Sequence, residues 1–290
     1  MSSETPAETN STSSSSNRLQ AVNYANVIAY IVNLAVVWGA PKAGLPDNAT
    51  LSEKYQTLVT PAGYAFAIWG IIFTAELIWT IAQCLPSYRS TVLVTKGVGY
   101  YFVWACLAQA IWTVAFGLEK IPLSLLCMVL ILIPLLIILN NISRLDAESI
   151  GRYWLLKFPF EIHCAWLMAA TLVNTNVVFV AVQASSTVQT VAGWTSLVAV
   201  ILIGIYYTMQ RKWVVPSVLA WATAAIANQL ANPKDLIVET FAASTIQQTK
   251  IVSWCVAAIL LLAMLAKIVH DRFFKKSGEE VTTADGYSAM

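Results

Sequence analysis

The sequence predicts an all-α fold, a polytopic transmembrane helical bundle of about eight spans. Of the 290 residues, 58% are hydrophobic and only 11% are charged, whereas soluble domains carry about 25% charged residues. Such a chain cannot cover its surface with polar groups, so most of that surface is expected to face lipid. Because lipid offers the backbone no hydrogen-bond partners, each long apolar run is expected to form a helix.

Eight apolar runs of near-spanning length follow a Ser/Thr-rich N-terminal segment. That segment, residues 1–19, is too poor in apolar residues to bury a core and is predicted to be disordered. The runs cover residues 21–40, 62–84, 97–117, 121–140, 158–182, 190–210, 213–231 and 249–269. Residues 20–182 hold the first five runs and residues 183–271 the last three, and residues 272–290 form a C-terminal tail.

The distribution of basic residues predicts the orientation in the membrane. With eight spans, 12 of the 17 Lys and Arg residues fall on one side. Cytoplasmic loops are enriched in these cations. Both termini of this multi-pass protein are therefore predicted to lie in the cytoplasm.

Several function classes lack their sequence signatures. The chain has no Walker A loop, no HExxH motif and no nucleophile elbow. Its five Cys form no CxxC pair and it has only two His, so neither a metal site nor a disulfide framework is predicted. Basic residues are scattered around the predicted helix ends instead of forming a nucleic-acid patch. We therefore expect no enzyme activity, no cofactor and no nucleic-acid partner.

The second run places a carboxylate on an aromatic helix face. At 100° per residue, that face carries Ala62, Phe66, Trp69, Phe73, Glu76 and Thr80. A charge at mid-bilayer costs roughly 2.5–3.5 kcal/mol unless it faces the bundle or a wet cavity, so this face is expected to point inward. Two hypotheses stay open for Glu76: a ligand or proton site with aromatic walls, or a protonated carboxyl that hydrogen-bonds a neighbouring helix.

Two further runs have comparable faces. In the third run, one face carries Phe102, Ala105, Gln109, Trp112 and Phe116. In the fifth run, one face carries Pro159, His163, Trp166, Ala170 and Asn174. An imidazole within a span can contact a ligand or can bond to a neighbouring helix, and both interpretations of His163 remain.

These stretches resemble the tryptophan-rich sensory protein family (TspO/MBR, translocator protein). The pattern that opens the second helix of the family is matched by Pro61, Gly63, Tyr64, Phe66, Trp69, Ile72 and Phe73. The pattern of its third helix is matched by Gln109, Trp112, Thr113, Phe116 and Gly117. The pattern of its fifth helix is matched by Trp166, Ala170, Thr171 and Asn174. The chain departs from the family at Ala62, Gln109 and Ala115, and Glu76 has no counterpart in the family pattern.

The resemblance covers about residues 20–182, so the chain resembles a longer branch with a TspO-like five-helix core and three additional helices. Family members bind tetrapyrroles, sterols and synthetic aromatic ligands in a pocket closed by the loop between helices 1 and 2, here Leu45 to Thr60. The resemblance therefore implies a receptor, sensor or carrier for a flat apolar ligand that is tetrapyrrole-like, sterol-like or lipid-like. The candidate ligand contacts are Tyr64, Phe66, Trp69, Phe73, Glu76, Gln109, Trp112, Phe116, His163, Trp166, Ala170 and Asn174.

Other functions remain open at the level of the sequence. The main alternative is a proton-coupled secondary transporter of a small molecule in which Glu76 and His163 relay protons or anchor substrate. An enzyme acting on a bound pigment and a purely structural membrane protein are further hypotheses. Membrane lipid is an expected partner, and the small residues on the helices are compatible with a homodimer. The resemblance permits mitochondrial outer, plastid, endomembrane and bacterial inner membranes.

Overall fold

Helices account for most of the residues that the structure describes. The computed structural model describes residues 18–285, with side chains through residue 273. Residues 1–17 of the predicted disordered tail lie outside the described residues, as do the side chains of 274–290 in the C-terminal tail. No strand occurs within residues 18–285, which confirms the all-α prediction. The α-helices are α1 (Ala21–Lys42), α2 (Asn48–Lys54), α3 (Ile68–Ala82), α4 (Tyr101–Gly117), α5 (Ile121–Ser143), α6 (Ile150–Leu156), α7 (Phe158–Ala181), α8 (Ser186–Met209), α9 (Val214–Gln229), α10 (Asp235–Thr240) and α11 (Ala243–Asp285).

Within residues 18–285, eight long α-helices overlap the eight apolar runs, and three short α-helices lie between them. Six of the long helices, counted over the described residues, are long and apolar enough to cross a membrane, α3 only together with the 3₁₀-helix at Gly63–Ala67 that leads into it. The exceptions are α4, which is apolar but has 17 residues, and α9, which has 16 residues. The chain is therefore an integral multi-pass membrane protein with a helical bundle fold, and the number of eight spans stays a prediction.

Helix α7 is the central helix of the bundle. Every residue from Pro159 to Ala169 is buried, as expected for a helix that is enclosed by others on all sides. It packs against α3 and α5 on one side and against α8 and α9 on the other. Helices of the first five runs and helices of the last three therefore share α7 as a common packing partner.

Hydrogen bonds connect α1 to α3 and to α4. The Tyr30 hydroxyl donates to the carbonyl oxygen of Phe73 on α3 at 2.6 Å. The Asn33 side-chain amide donates to Oε1 of Gln109 on α4 at 3.3 Å. Polar side chains inside a membrane bundle connect helices in this way because no water competes for them.

The chain enters α3 through a segment that is tied to α9. A 3₁₀-helix at Gly63–Ala67 precedes α3, and the Ala62 amide donates to the carbonyl oxygen of Ala225 at 3.0 Å. Since Ala225 belongs to α9, the proline-glycine motif is anchored on the additional helices. That contact brings α9 beside the aromatic faces of α3 and α7 and positions it to complete a cavity there.

A candidate ligand-binding cavity

A single cavity joins the three motif helices to the additional ones. Its wall comes from α3, α4, α5 and α7 on one side, from α8 and α9 on the other, and from the segment that contains α2. Its volume is about 80 Å³, which is small beside the roughly 300–1,000 Å³ of ordinary ligand pockets. A ligand of tetrapyrrole or sterol size therefore requires part of this wall to move.

Aromatic rings form the side of the cavity where the motifs meet. The Phe66 and Trp69 rings both lie edge-on to Trp166, with centroids 5.9 and 6.3 Å away. On α4, Trp112 and Phe116 stack at 5.2 Å, because an i, i+4 spacing places both on one helix face. Flat apolar molecules pack well against such offset and edge-on rings.

Seven of the twelve predicted contacts line the cavity. These are Phe66, Trp69, Trp112, Phe116, Trp166, Ala170 and Asn174. They come from α3 with the 3₁₀-helix before it, from α4 and from α7, and each lies on the inward face that helical periodicity predicted. The wall also includes Asn48, Ser52, Val59 and Thr60 from the segment that the resemblance implied as a lid.

The lid segment is folded and held by polar contacts. The Asp47 carboxylate caps α2 by accepting from the Thr50 amide at 2.8 Å, which lowers the pKa of Asp47. At the C-terminal end of α2, Lys54 and the Tyr55 hydroxyl both bind Glu119, the hydroxyl at 2.6 Å. The segment is thus attached to the turn between α4 and α5.

The five remaining predicted residues lie away from the cavity wall. Tyr64 is 47% exposed and meets Trp221 edge-on at 5.1 Å. Phe73 stacks on Trp69 at 5.4 Å, and Gln109 accepts the bond from α1. The other two, which are Glu76 and His163, form a contact of their own.

Glu76 and His163 form a buried pair between α3 and α7. Oε1 of Glu76 lies 2.6 Å from Nδ1 of His163, and the two side chains are 0% and 1% exposed. Oε2 of the carboxylate and Nε2 of the imidazole have no other partner among the described residues. The His163 ring also meets Trp69 edge-on at 5.8 Å. The pair therefore lies outside the cavity and contacts its aromatic wall through the ring of Trp69.

The polar groups of the wall are amides and hydroxyls. Oδ1 of Asn174 accepts from the Ser124 hydroxyl at 3.2 Å. The Ser196 hydroxyl accepts from the Asn176 side chain at 2.8 Å, and the Thr223 hydroxyl donates to the carbonyl oxygen of Leu219. These groups are fixed by bonds to their own bundle and can offer their remaining lone pairs or protons to a ligand.

Sequence reasoning missed the wall contributed by the additional helices. Its residues are Ser196, Leu197, Val200, Ala222, Thr223 and Ile226. Their spacing of three and four residues on α8 and α9 is the signal of an inward helix face. The same spacing also predicts ordinary packing, so the pattern does not distinguish a cavity from a core.

Comparison with known protein families gives a match that spans most of the chain. Residues 20–268 match the sequence model of the TSPO-like protein family. The match continues past residue 182 into the additional helices that complete the cavity. No curated protein and no solved structure gives a significant match.

Proposed function

The chain belongs to the TSPO-like protein family, and from that premise we propose that it binds a flat apolar ligand in the cavity around α7. The ligand is tetrapyrrole-like, sterol-like or lipid-like, and the protein acts as its receptor, sensor or carrier without chemical turnover. One observation carries the proposal: three separate motif faces converge on one cavity that is covered by the segment between α1 and α3.

The wall supports this function through its shape and chemistry. Trp112 and Trp166 are 5% and 2% exposed and provide large rigid surfaces. Few, fixed polar groups among such rings are typical of sites for small apolar molecules. The small cavity volume fits a site that opens when the lid segment moves, because loops over a rigid bundle are common gates.

A titration of the detergent-solubilised protein tests the proposal. Protoporphyrin IX, its dimethyl ester and a fluorescent sterol are added while tryptophan quenching and probe absorption are followed. We expect saturable binding of at least one probe in the micromolar range. A Trp112→Ala, Trp166→Ala double variant should weaken it at least tenfold, which corresponds to about 1.4 kcal/mol.

A matched control separates binding from partitioning into detergent. Trp104 is 65% exposed and lies on the same helix as Trp112. Trp104→Ala should leave the affinity unchanged. Equal, non-saturating quenching in the parent, control and double variant would contradict the proposal. An irreversible change in the probe's absorption would point instead to an enzyme acting on a bound pigment.

Proton-coupled transport is the second candidate, and the Glu76–His163 contact favours it. A carboxylate and an imidazole at 2.6 Å inside a bundle can share a proton. Under this hypothesis, Glu76→Gln in proteoliposomes abolishes uptake that is driven by a proton gradient, while ligand binding survives. Loss of stability alone, with no effect on coupled uptake, would assign the pair a structural role.

A further inference from the structure

We infer that the cavity selects an uncharged ligand bearing a hydrogen-bond acceptor, such as a ketone, ester or quinone oxygen, over an anionic one. The inference rests on the proposed function, since it specifies the chemistry of the molecule held there. Two independent observations carry it: the kind of polar group in the wall and two indole N–H groups without an acceptor.

The wall offers an anion no countercharge. Its polar side chains are neutral amides and hydroxyls, and its lining within the described residues includes no charged side chain. Those from the bundle helices, Asn174, Ser196 and Thr223, also bond to the protein itself. A carboxylate moved from water into such surroundings loses hydration without gaining an ionic partner, so ionised ligands are disfavoured.

Two of the three charged side chains of the lid segment form ion pairs, and the third, Asp47, is itself anionic. Lys54 pairs with Glu119, and Glu53 pairs with Lys234 at 3.3 Å. An anionic group at this edge would therefore compete with an existing carboxylate for each cation. This arrangement closes the lid over the cavity without adding a net attraction for anions.

Two rings of the wall carry donors that lack acceptors. Nε1 of Trp112 and Nε1 of Trp166 are buried and have no hydrogen-bond partner among the described residues. Buried indole N–H groups usually find an acceptor, because leaving a donor unpaired is costly. Both rings line the same cavity, so a ligand oxygen that accepts from one or both of them would remove that cost.

Two ligand pairs test the charge preference. Protoporphyrin IX and its dimethyl ester share one macrocycle, and they differ in two carboxylates. Cholest-4-en-3-one and cholesteryl hemisuccinate provide a ketone and an anion on a sterol frame. The neutral member of a pair that binds saturably should bind at least tenfold more tightly. An anionic member that binds equally or more tightly would overturn the inference.

Conservative tryptophan variants test whether the ligand accepts a hydrogen bond from the indole N–H groups. Trp112→Phe and Trp166→Phe keep an aromatic ring and remove the N–H, and each should weaken the neutral probe about two- to tenfold. Trp79 also has an unpaired buried indole N–H but lies outside the wall, so Trp79→Phe is the matched control and should bind normally. Full affinity in both Trp112→Phe and Trp166→Phe would overturn the inference that the ligand accepts a hydrogen bond from these indole N–H groups.

The experiment separates failure of this inference from failure of the proposed function. If a probe binds saturably and the Trp112→Ala, Trp166→Ala double variant loses it, the cavity is the site. A preference for the anionic member then overturns only the charge selectivity. If neither pair contains a probe that behaves in this way, the proposed function fails and the inference fails with it.

Discussion

Glu76 is the residue whose position most needs a physical cause. A mid-helix carboxylate is expensive in a membrane unless it is paired, and here it meets His163 of the neighbouring helix at 2.6 Å. Replacing one partner of such a buried pair leaves the other uncompensated, whereas replacing both removes the problem. The pair therefore joins α3 to α7 directly behind the ring of Trp69.

A double-mutant cycle measures this coupling. We expect Glu76→Ala and His163→Ala each to lower the free energy of unfolding by about 3–5 kcal/mol. The double variant should lose clearly less than the sum, because no buried charge or donor is left alone. Denaturant unfolding in detergent, followed by tryptophan fluorescence, provides the values. Strictly additive losses would mean that the two side chains do not interact.

Glu119 is the second residue with an unusual position. It lies just after the end of α4 and has a positive φ of 56°, at a position where a glycine is the common choice. The Glu119 amide donates to the Phe116 carbonyl and the Lys120 amide to the Ala115 carbonyl, which closes the helix end. The side chain that occupies this backbone position binds the lid through Lys54 and Tyr55.

Removing the Glu119 carboxylate should loosen the lid without weakening the bundle. Glu119→Gly suits the backbone conformation better and deletes both lid contacts. We expect faster hydrogen exchange in residues 45–60 and an equal or higher melting temperature. Glu148→Gly is the matched control, because Glu148 also has a positive φ (64°) and pairs with Arg152. Unchanged hydrogen exchange in the Glu119 variant would show that the contacts of Glu119 with Lys54 and Tyr55 do not hold the lid segment in place.

The contact of Glu119 with Lys54 and Tyr55 predicts that hydrogen exchange in the lid segment depends on pH. The Lys54 ammonium, followed by the Tyr55 hydroxyl, lowers the pKa of Glu119. A carboxyl whose pKa is lower in the folded protein stabilises it above the unfolded pKa of about 4.3. That stabilisation is lost as the pH falls through the folded value. Lid exchange, corrected for its intrinsic rate, should therefore be constant from pH 6 to 8 and should accelerate only in acid. Acceleration near neutrality would exclude Glu119 as the controlling group.

At the scale of the helix, periodicity predicted the inward faces of α3, α4 and α7 but not how each inward residue is used. Trp112 and Phe116 reached the cavity because their positions depend only on one helix face. Gln109, on the same face, bonds to α1 instead. Helical periodicity places both Glu76 and His163 on inward faces, but their contact depends on how α3 packs against α7, which no local pattern specifies.

The wall contributed by α9 can be tested with two alanines of that helix. Ala222 lines the cavity, whereas Ala220 is equally buried elsewhere. We expect Ala222→Leu to weaken ligand binding at least tenfold because three carbon atoms enter the cavity. Ala220→Leu should cost similar stability, about 1–3 kcal/mol, but leave the affinity unchanged. Equal affinities in both variants would remove α9 from the site. The measurements are probe titration and denaturant unfolding.

Close packing of α8 on α11 depends on one glycine. A side chain at Gly204 would meet Cδ2 of the buried Leu260 at 2.3 Å. Gly204→Ala should therefore lower the free energy of unfolding by about 1–3 kcal/mol. Gly70→Ala on α3, where nothing lies within 4 Å, should be neutral or slightly stabilising. If both variants unfold alike, α8 and α11 do not approach as described.

At the scale of the whole molecule, composition was sufficient to predict a multi-pass helical membrane protein. A charged fraction of 11% is too low for the surface of a soluble protein. Membership of the TSPO-like family agrees with a membrane protein. The motifs could indicate only the part of the chain that carries them. The cavity extends into α8 and α9 because α7 is shared by both groups of helices, and that sharing is a property of the assembled bundle.

The number of spans determines whether the two termini lie on the same side. Eight spans place both termini in the cytoplasm, as the distribution of Lys and Arg predicts. In sealed vesicles of known orientation, protease should reach tags on both ends from the cytoplasmic side. Protection of one tag would indicate an odd number of spans. The short helices α4 and α9 would then be the first candidates for segments that do not cross.

Photolabelling with a diazirine-bearing sterol ketone in membranes, mapped by mass spectrometry, tests whether one cavity with walls from both parts of the bundle holds the ligand. We predict labels on residues such as Met128, Val173 and Ile226, which line it from α5, α7 and α9, and their loss with excess unlabelled ketone. Labels spread over the exposed helix faces and insensitive to competition would contradict the claim.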